Sequence, residues 1–414
     1  MKVTLVTYGT RGDVQPFVAL GLALQQAGVE VAVAVNSDHQ GFVVGHGLPV
    51  TVIGSNLQDV FGAAEVRHWL NSGRSTRVVQ AVRQLRAREA TTRRQAIHQA
   101  CQGSDLVVTN QSIQRAAIPI ARQLQIPVIL TNLFPVWETA DFPFLLITTR
   151  NLPRLLNRLT YRLRAGRRLL RARGGQSLVG ADQLFAATPK LQAYSPWVVP
   201  RPADWGEDIQ MTGYWTLPPG AAAASPPAAL VEWMGEGPPV IFLGFGSMGV
   251  NNLVELGWAV EAIARPMGLR AVVAIGDSRA AVTEGPASET LYFVPSVAHE
   301  WLFPRCAYVV HHGGAGTTAA SLRAGVPTLV CSFICDQPFW GGRVEKMGVG
   351  LHLPFKKVTS QTLLRAIQQI ARPEIRQRAA LFGEKLRAEK GVEKAVEIIV
   401  RAAGSGKWQA AGGK

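Results

Sequence analysis

Four short segments of this 414-residue chain set carboxylates, hydroxyls, histidines and glycines directly behind apolar runs. The first is Tyr8–Pro16, YGTRGDVQP. It puts Gly9, Thr10, Arg11, Gly12 and Asp13 in one turn. A carboxylate held at a strand end can serve as a general base. The same Asp13, three places after Thr10, could instead cap the next helix, with Pro16 in its first turn. Spacing leaves both readings open. A nicotinamide or flavin site would need GxGxxG, and only Gly9-x-x-Gly12 is offered.

The second segment is Val309–Thr318, VVHHGGAGTT. Gly313, Gly314, Ala315 and Gly316 let backbone amides approach an anion, and Thr317 and Thr318 add hydroxyls at the start of a helix. Such a helix end favours negative charge by about 0.3–1 kcal/mol, or about 2 kcal/mol when partly buried. His312 can add a donor. The alternative is a tight turn that needs glycines. The lysine of a P-loop is missing, which disfavours an NTPase. The third segment is Asp336-Gln337 in SFICDQPFW, where a carboxylate beside an amide could bind the hydroxyls of one sugar or stabilise a loop. The fourth is Gly244–Met248, GFGSM, with Ser247 as a further phosphate contact. No DxD occurs anywhere, so the usual carboxylate pair for a divalent ion on a diphosphate is not signalled, and no metal site or cofactor is expected.

These segments need strands to hold them. Apolar runs at 2–8, 29–35, 49–53, 105–109, 127–131 and 183–188 alternate with helical patterns. A second series runs at 239–246, 270–275, 290–294, 307–312 and 327–332. Continuous Val, Ile and Leu suit parallel strands covered on both faces. The expected fold class is α/β, with two Rossmann-like, doubly wound parallel-sheet domains facing across a cleft. The expected divisions are 1–216, a Pro- and Ala-rich linker at 217–238, a second domain at 239–403 and a tail at 404–414.

Composition narrows the class. Hydrophobic residues make up 47% and charged residues 17%, which suits a globular chain rather than a disordered one. No apolar run reaches the roughly 18–20 residues that cross a bilayer, and no signal peptide is evident. None of the four cysteines lies in a CxxC, so neither a disulfide framework nor zinc is signalled. A cytoplasmic protein is expected, with possible peripheral contact at a membrane. The net charge is +15. Residues 1–215 carry 23 Lys and Arg against 13 Asp and Glu. An anionic partner is implied: phosphate groups or an acidic membrane surface.

With these segments in view, the chain from Met1 to about Gly350 resembles the nucleotide-sugar-dependent glycosyltransferases of GT-B fold. It is most similar to the sterol glucosyltransferases and the antibiotic-aglycone glycosyltransferases. The resemblance rests on GTRGDVQP at 9–16, VVPRPADWGEDIQMTGYW at 198–215, GFGSM at 244–248, and HEWLFPR, HHGGAGTTAASLRAGVP and DQPFWGGRV between Val294 and Gly350. It implies an inverting transfer of a sugar, glucose from UDP-glucose in the first instance, to a hydroxyl of an apolar acceptor. It implies Asp13 as the general base. Thr10, Arg11, Ser247, His312, Gly314, Gly316 and Thr317 become donor diphosphate contacts, and Asp336 and Gln337 read the donor sugar. Phe293 and Pro295 fall where plant relatives hold the nucleobase. Ala320 replaces the glutamate that reads ribose in plant relatives, which leaves UDP- against TDP-sugars open. No histidine follows the first strand, so Asp13 would act without a His-Asp dyad. A TDP-deoxysugar antibiotic glycosyltransferase, a GT-B sugar-nucleotide epimerase and a basic membrane-binding module are the alternatives. Nucleic acid is not expected as a partner, because few aromatics interleave the arginines.

Two segments bear on the acceptor. In LFPVWETADFPF at 133–144, Phe134, Trp137, Phe142 and Phe144 suit a flat apolar molecule or plain core packing. Residues 150–173 hold nine arginines and no acid. Leu152, Leu155, Leu156, Leu159, Leu163 and Leu170 share one face of the expected helix, with arginines largely opposite. Either the leucines face the core or the helix docks on a membrane.

Overall fold

The structure is a computed structural model. It describes all residues except 73, 172–187, 219, 221–225, 236, 247, 249, 277–283 and 405–414. The chain divides into two compact units. Unit 1 comprises Met1–Ser55, Glu89–Pro218 and Glu389–Lys414, and unit 2 comprises Asn56–Arg88 and Pro219–Ala388.

Unit 1 is built on seven strands: β1 (Lys2–Val6), β2 (Glu30–Val35), β3 (Val50–Val52), β4 (Leu106–Asn110), β5 (Val128–Asn132), β6 (Lys190–Gln192) and β7 (Ile209–Met211). Their order is β3-β2-β1-β4-β5-β6-β7, with every pairing parallel. The register sets Val3 against Val31 on one side and Leu106 on the other. Helices cover both faces, so β4 is buried along its whole length and reads as a continuous apolar run ending in polar residues.

Unit 2 repeats the plan with β8 (Val240–Gly244), β9 (Arg270–Ala274), β10 (Gly285–Pro286), β11 (Leu291–Val294), β12 (Cys306–His311), β13 (Thr328–Val330) and β14 (Gly350–His352). The order is β10-β11-β9-β8-β12-β13-β14, and only the edge strand β10 is antiparallel. Without β10, both sheets have the doubly wound order in which the sequence of strands reverses at one point. That point is β1/β4 in unit 1 and β8/β12 in unit 2.

The structure departs from the sequence expectation in several places. Most of the strand expected at 183–188 lies outside the described residues, as do the tail from 405 and parts of 217–238. The sixth strand is Lys190–Gln192. β7, β10 and β14 are only two or three residues long, too short to show a periodicity. A linear division near 217–238 also assigns two segments differently from the packing. Val66, Leu70 and Val78 join the unit 2 core with Ile241 and Leu243. Val392, Ala395, Ile399 and Ala402 join the unit 1 core with Phe17 and Leu20.

That last set explains the helix Gly391–Gly404. Its buried residues are spaced three, four and three apart, which is one face of a helix. At its start, a Cβ on Gly391 would lie 2.3 Å from the Tyr214 carbonyl oxygen, so only glycine allows this approach. Ile399 is fully buried. Ile399→Ala should cost about 2–5 kcal/mol through lost burial and a cavity. In hydrogen exchange, the amides of β1 and β2 should lose protection while those of β8 and β12 keep theirs. The reverse pattern would place this helix with the wrong unit.

Candidate active site

In a doubly wound sheet, ligands bind beyond the strand C-termini at the point of reversal, because the loops on either side turn away from each other. Each unit has such a point, and the sequence motifs lie on both.

In unit 1, the turn after β1 leads into the helix Arg11–Gln26, whose N-cap is Thr10. Asp13 Oδ2 accepts the Thr10 amide at 2.9 Å and lies 3.3 Å from the Thr10 hydroxyl. The capping geometry is therefore present. Asp13 is nevertheless only half-buried, and Ser112 Oγ, from the loop after β4, approaches its Oδ1 at 3.4 Å. The carboxylate thus spans the reversal point. Gly9 makes room for it, since a Cβ there would lie 2.1 Å from Asp13 Oδ2. Asn36 clamps Gly9, accepting its amide at 3.1 Å and donating to its carbonyl at 3.0 Å. His39 Nε2 donates to the same carbonyl at 3.2 Å. Burial lowers the His39 pKa, with Asp38 opposing and Arg11 adding to the shift. Arg11 lies with its guanidinium 3.3 Å from the centre of the Phe42 ring and donates to Gln15 at 2.9 Å.

In unit 2, β12 ends in two histidines with different surroundings. His311 is fully buried, with Nδ1 accepting the Gly313 amide at 2.9 Å and Nε2 lying 3.5 Å from Ser321 Oγ. Burial first, and then His312 and His299, hold its pKa well below the usual histidine value. His312 lies between two glycines. A Cβ on Gly246 would come within 3.0 Å of its ring, and one on Gly314 within 2.5 Å. Burial, helped by His299, takes its pKa down to about 4, so the ring is neutral at pH 7. Next comes the helix Ala315–Ala324, capped by Gly314. Its first internal bond runs from the Thr318 amide to the Gly314 carbonyl at 2.9 Å. The amides of Ala315, Gly316 and Thr317 therefore have no partner within the helix. His312 Nδ1 and Thr318 Oγ1 are both buried without a hydrogen-bond partner among the described residues. Unspent donors at a helix N-terminus beside a neutral imidazole suit an anion.

Residues 3–143 match the glycosyltransferase family 28 N-terminal domain. Residues 272–401 match the C-terminal domain described as erythromycin biosynthesis protein CIII-like. The chain is 31% identical to the sterol 3-beta-glucosyltransferase of Cryptococcus neoformans, over 97% of its own length and 27% of that protein's. It is 30% identical to the sterol 3-beta-glucosyltransferase of Arabidopsis thaliana, over 97% and 65%. It therefore spans only part of these relatives. Among solved structures, CalG4, the calicheamicin glycosyltransferase, superposes with a TM-score of 0.67 at 17% identity, covering 97% of this chain and 98% of that one. The Streptomyces sp. SF2575 glycosyltransferase SsfS6, complexed with thymidine diphosphate, gives 0.61 at 19% identity, covering 97% and 100%. The fold is GT-B.

The GT-B frame shows where the remaining expected residues fall. Phe293 is corrected. It is 1% exposed on β11 and packs against Gly257 in the unit 2 core, so no base can stack on it. Pro295, just past the strand, is exposed, and its carbonyl accepts the Gly276 amide at 2.9 Å. Gln337 is buried, and its Oε1 accepts the amides of Phe333 and Ile334 at 2.8 and 3.2 Å. Its side-chain carbonyl is therefore spent on the loop, not left for a sugar. Asp336 is half-buried, with Oδ2 accepting the indole N–H of the fully buried Trp340 at 2.8 Å. Ser247 lies outside the described residues.

On the acceptor segment, Phe144 is also corrected. It is 3% exposed, packs on Tyr161, and its amide donates to Thr160 Oγ1 at 2.7 Å. Phe134, Trp137 and Phe142 are half-buried. Trp137 donates to Asn132 Oδ1 at 2.6 Å, and Phe142 meets Trp205 edge-on. The basic helix spans Arg154–Arg171, and its side chains are described through Leu163. Its buried face is Asn157, Thr160 and Tyr161. Leu155 is 83% exposed, and Leu156, Leu159 and Leu163 are exposed beside it. The helix therefore presents its leucines outward. It is tied down by Arg154 to Asp141 at 3.2 Å and by Arg158 to Asp204 at 2.9 Å.

Sequence reasoning missed Ser112, Asn36 and His39. None lies in a recognisable motif. Their common signal is a polar residue within four positions of the end of a buried strand.

Proposed function

We propose that this chain is an inverting glycosyltransferase that moves a sugar from a nucleoside diphosphate donor, UDP-glucose in the first instance, to a hydroxyl of an apolar acceptor such as a sterol, triterpenoid or polyketide aglycone. The observation that carries this reading is the carboxylate of Asp13, held at the unit 1 reversal point by Thr10 and approached by Ser112; unit 2 separately carries an open helix N-terminus beside His312. The printed names of the relatives support the same class. In this reading the acceptor oxygen attacks the anomeric carbon and gives its proton to Asp13. The bond from that carbon to the β-phosphate oxygen breaks. The nucleoside diphosphate leaves with the electron pair, and one displacement inverts the anomeric centre. The amides of Ala315 to Thr317 and the neutral His312 meet the charge that grows on the leaving group. Glycines at 314 and 316 let the backbone come close. Asp336, held in aim by Trp340, and the side-chain amide nitrogen of Gln337 are the groups that would read the sugar.

Among the described residues, no group of three His, Cys, Asp or Glu side chains is placed to hold a metal. In this reading the donor charge is met by the helix end and by His312, whose Nδ1 lacks a partner among the described residues. Asp13→Asn should lower turnover by roughly 10²–10⁴ while UDP affinity changes little. A chelator should leave the parent's turnover unchanged. Near-normal turnover in Asp13→Asn would reduce Asp13 to its capping role, and strict dependence on a divalent ion would overturn this account of the leaving group.

The finer reading includes peripheral contact with an anionic membrane. It is supported by the exposed leucines of the basic helix and by the absence of acids between Asp141 and Asp182. No helix among the described residues is long and apolar enough to span a bilayer. Because Arg154 and Arg158 pair within unit 1, the leucines are the better probe. The parent should sediment with phosphatidylserine vesicles at low salt, and Leu155→Glu with Leu159→Glu should stay in the supernatant. A parent that never sediments would leave this helix a solvated surface.

A further inference from the structure

The half-site in unit 1 holds more than the carboxylate. β1 and β4 are neighbours in the sheet, with Val6 in register with Thr109. Directly beyond that pair, four polar groups close a ring of contacts. Thr7 Oγ1 donates to the Asp13 backbone carbonyl at 3.0 Å. The same hydroxyl accepts Asn110 Nδ2 at 2.8 Å. Asn110 Oδ1 accepts the Ser112 amide at 3.1 Å. Ser112 Oγ then approaches Asp13 Oδ1 at 3.4 Å. Thr7 and Asn110 are fully buried, while Ser112 and Asp13 are half-buried.

This ring joins the main chain of Asp13 to its side chain by way of the neighbouring strand. Thr10 already donates its amide to Oδ2, so the carboxylate is held from both ends. Its plane is set by β1 on one side and β4 on the other. A carboxylate fixed by two elements keeps one orientation as the backbone fluctuates, and small misplacements of a general base are costly in rate.

We propose that Ser112 is a positioning residue for Asp13. Its hydroxyl, oriented through Asn110 and Thr7, holds Oδ1 where an acceptor hydroxyl would deliver its proton. The inference rests on the reading of Asp13 as the base. Asn110 is the support of this arrangement, since its carboxamide fixes both the Ser112 backbone and the Thr7 hydroxyl.

A hydrogen bond donated to a carboxylate favours the ionised form, so removing it moves ionisation of the carboxyl to higher pH. The other charged and titratable groups around this turn include Arg11 on the same helix, Asp38 and His39 after β2, Tyr8, and the Arg93 that packs on the Tyr8 ring and pairs with Glu89. All are unchanged by a substitution at 112. The loop from Asn110 to Gln114 carries no charge.

The experiment follows kcat/KM against pH with UDP-glucose and cholesterol for the parent, Ser112→Ala, Ser112→Thr and Asp13→Asn. UDP affinity, which reads unit 2, is measured on each. Ser112→Ala should lower kcat by about tenfold and move the acidic limb up by roughly half to one pH unit. Ser112→Thr keeps a hydroxyl and should restore the limb. UDP affinity should stay within about twofold throughout. If Asp13→Asn is nearly inactive but the Ser112→Ala limb does not move, the positioning role is wrong and the base stands. If Asp13→Asn keeps near-normal turnover, the base reading fails and this inference fails with it. A Ser112→Ala protein that loses UDP affinity and kcat together, with an unshifted limb, would show a merely structural serine.

Discussion

The arrangement depends on one constraint of parallel sheets. Right-handed crossovers from β1 through β2 to β3 lay helices on one face, and the run that begins at β4 lays them on the other. The loops leaving β1 and β4 must then turn away from each other, and a crevice opens above the pair. Asp13 enters that crevice from one side and Ser112 from the other. The same reversal at β8 and β12 brings the Gly246 turn beside His312 and the helix that starts at Ala315. Neither half-site needs a special fold beyond this. Each needs only small residues where backbones approach and polar ones just past the last buried strand position.

Close packing around these loops explains their glycines. Gly9 admits the Asp13 carboxylate, and Gly314 admits the His312 ring. A side chain at either position would displace the group packed against it. Burial does the remaining electrostatic work in unit 2. It leaves His312 neutral at pH 7 and able to donate one N–H without bringing a permanent positive charge. The helix end adds about 0.3–2 kcal/mol toward an anion, depending on how far water is excluded.

Much of this was legible in the sequence, and the failures share a cause. Buried parallel strands announce themselves as continuous Val, Ile and Leu, and glycine-rich turns after them mark the crevices. Period and motif do not say which way one side chain faces. Phe293 resembles a nucleobase contact by position, yet β11 is covered on both faces and Phe293 is buried in the unit 2 core. Gln337 resembles a sugar reader, yet its oxygen is consumed by two loop amides. Hydrophobicity leaves the facing of the basic helix open, and the structure exposes Leu155, Leu156, Leu159 and Leu163 while Asn157 and Thr160 are buried, Asn157 donating to the Ala140 carbonyl and Thr160 accepting the Phe144 amide. Long-range packing decides such cases, and it also assigns the helix at 391–404 to unit 1.

In the proposed function the unit 1 reversal point holds the base and the unit 2 reversal point holds the nucleoside diphosphate. Hydrogen exchange read by mass spectrometry, with UDP alone and then with cholesterol alone, addresses it directly. The account predicts that UDP slows exchange in peptides covering His311 to Thr318. Cholesterol should slow exchange at Thr7 to Asp13 and Asn110 to Ser112. Protection by UDP confined to unit 1, or spread over elements remote from both reversal points, would contradict it.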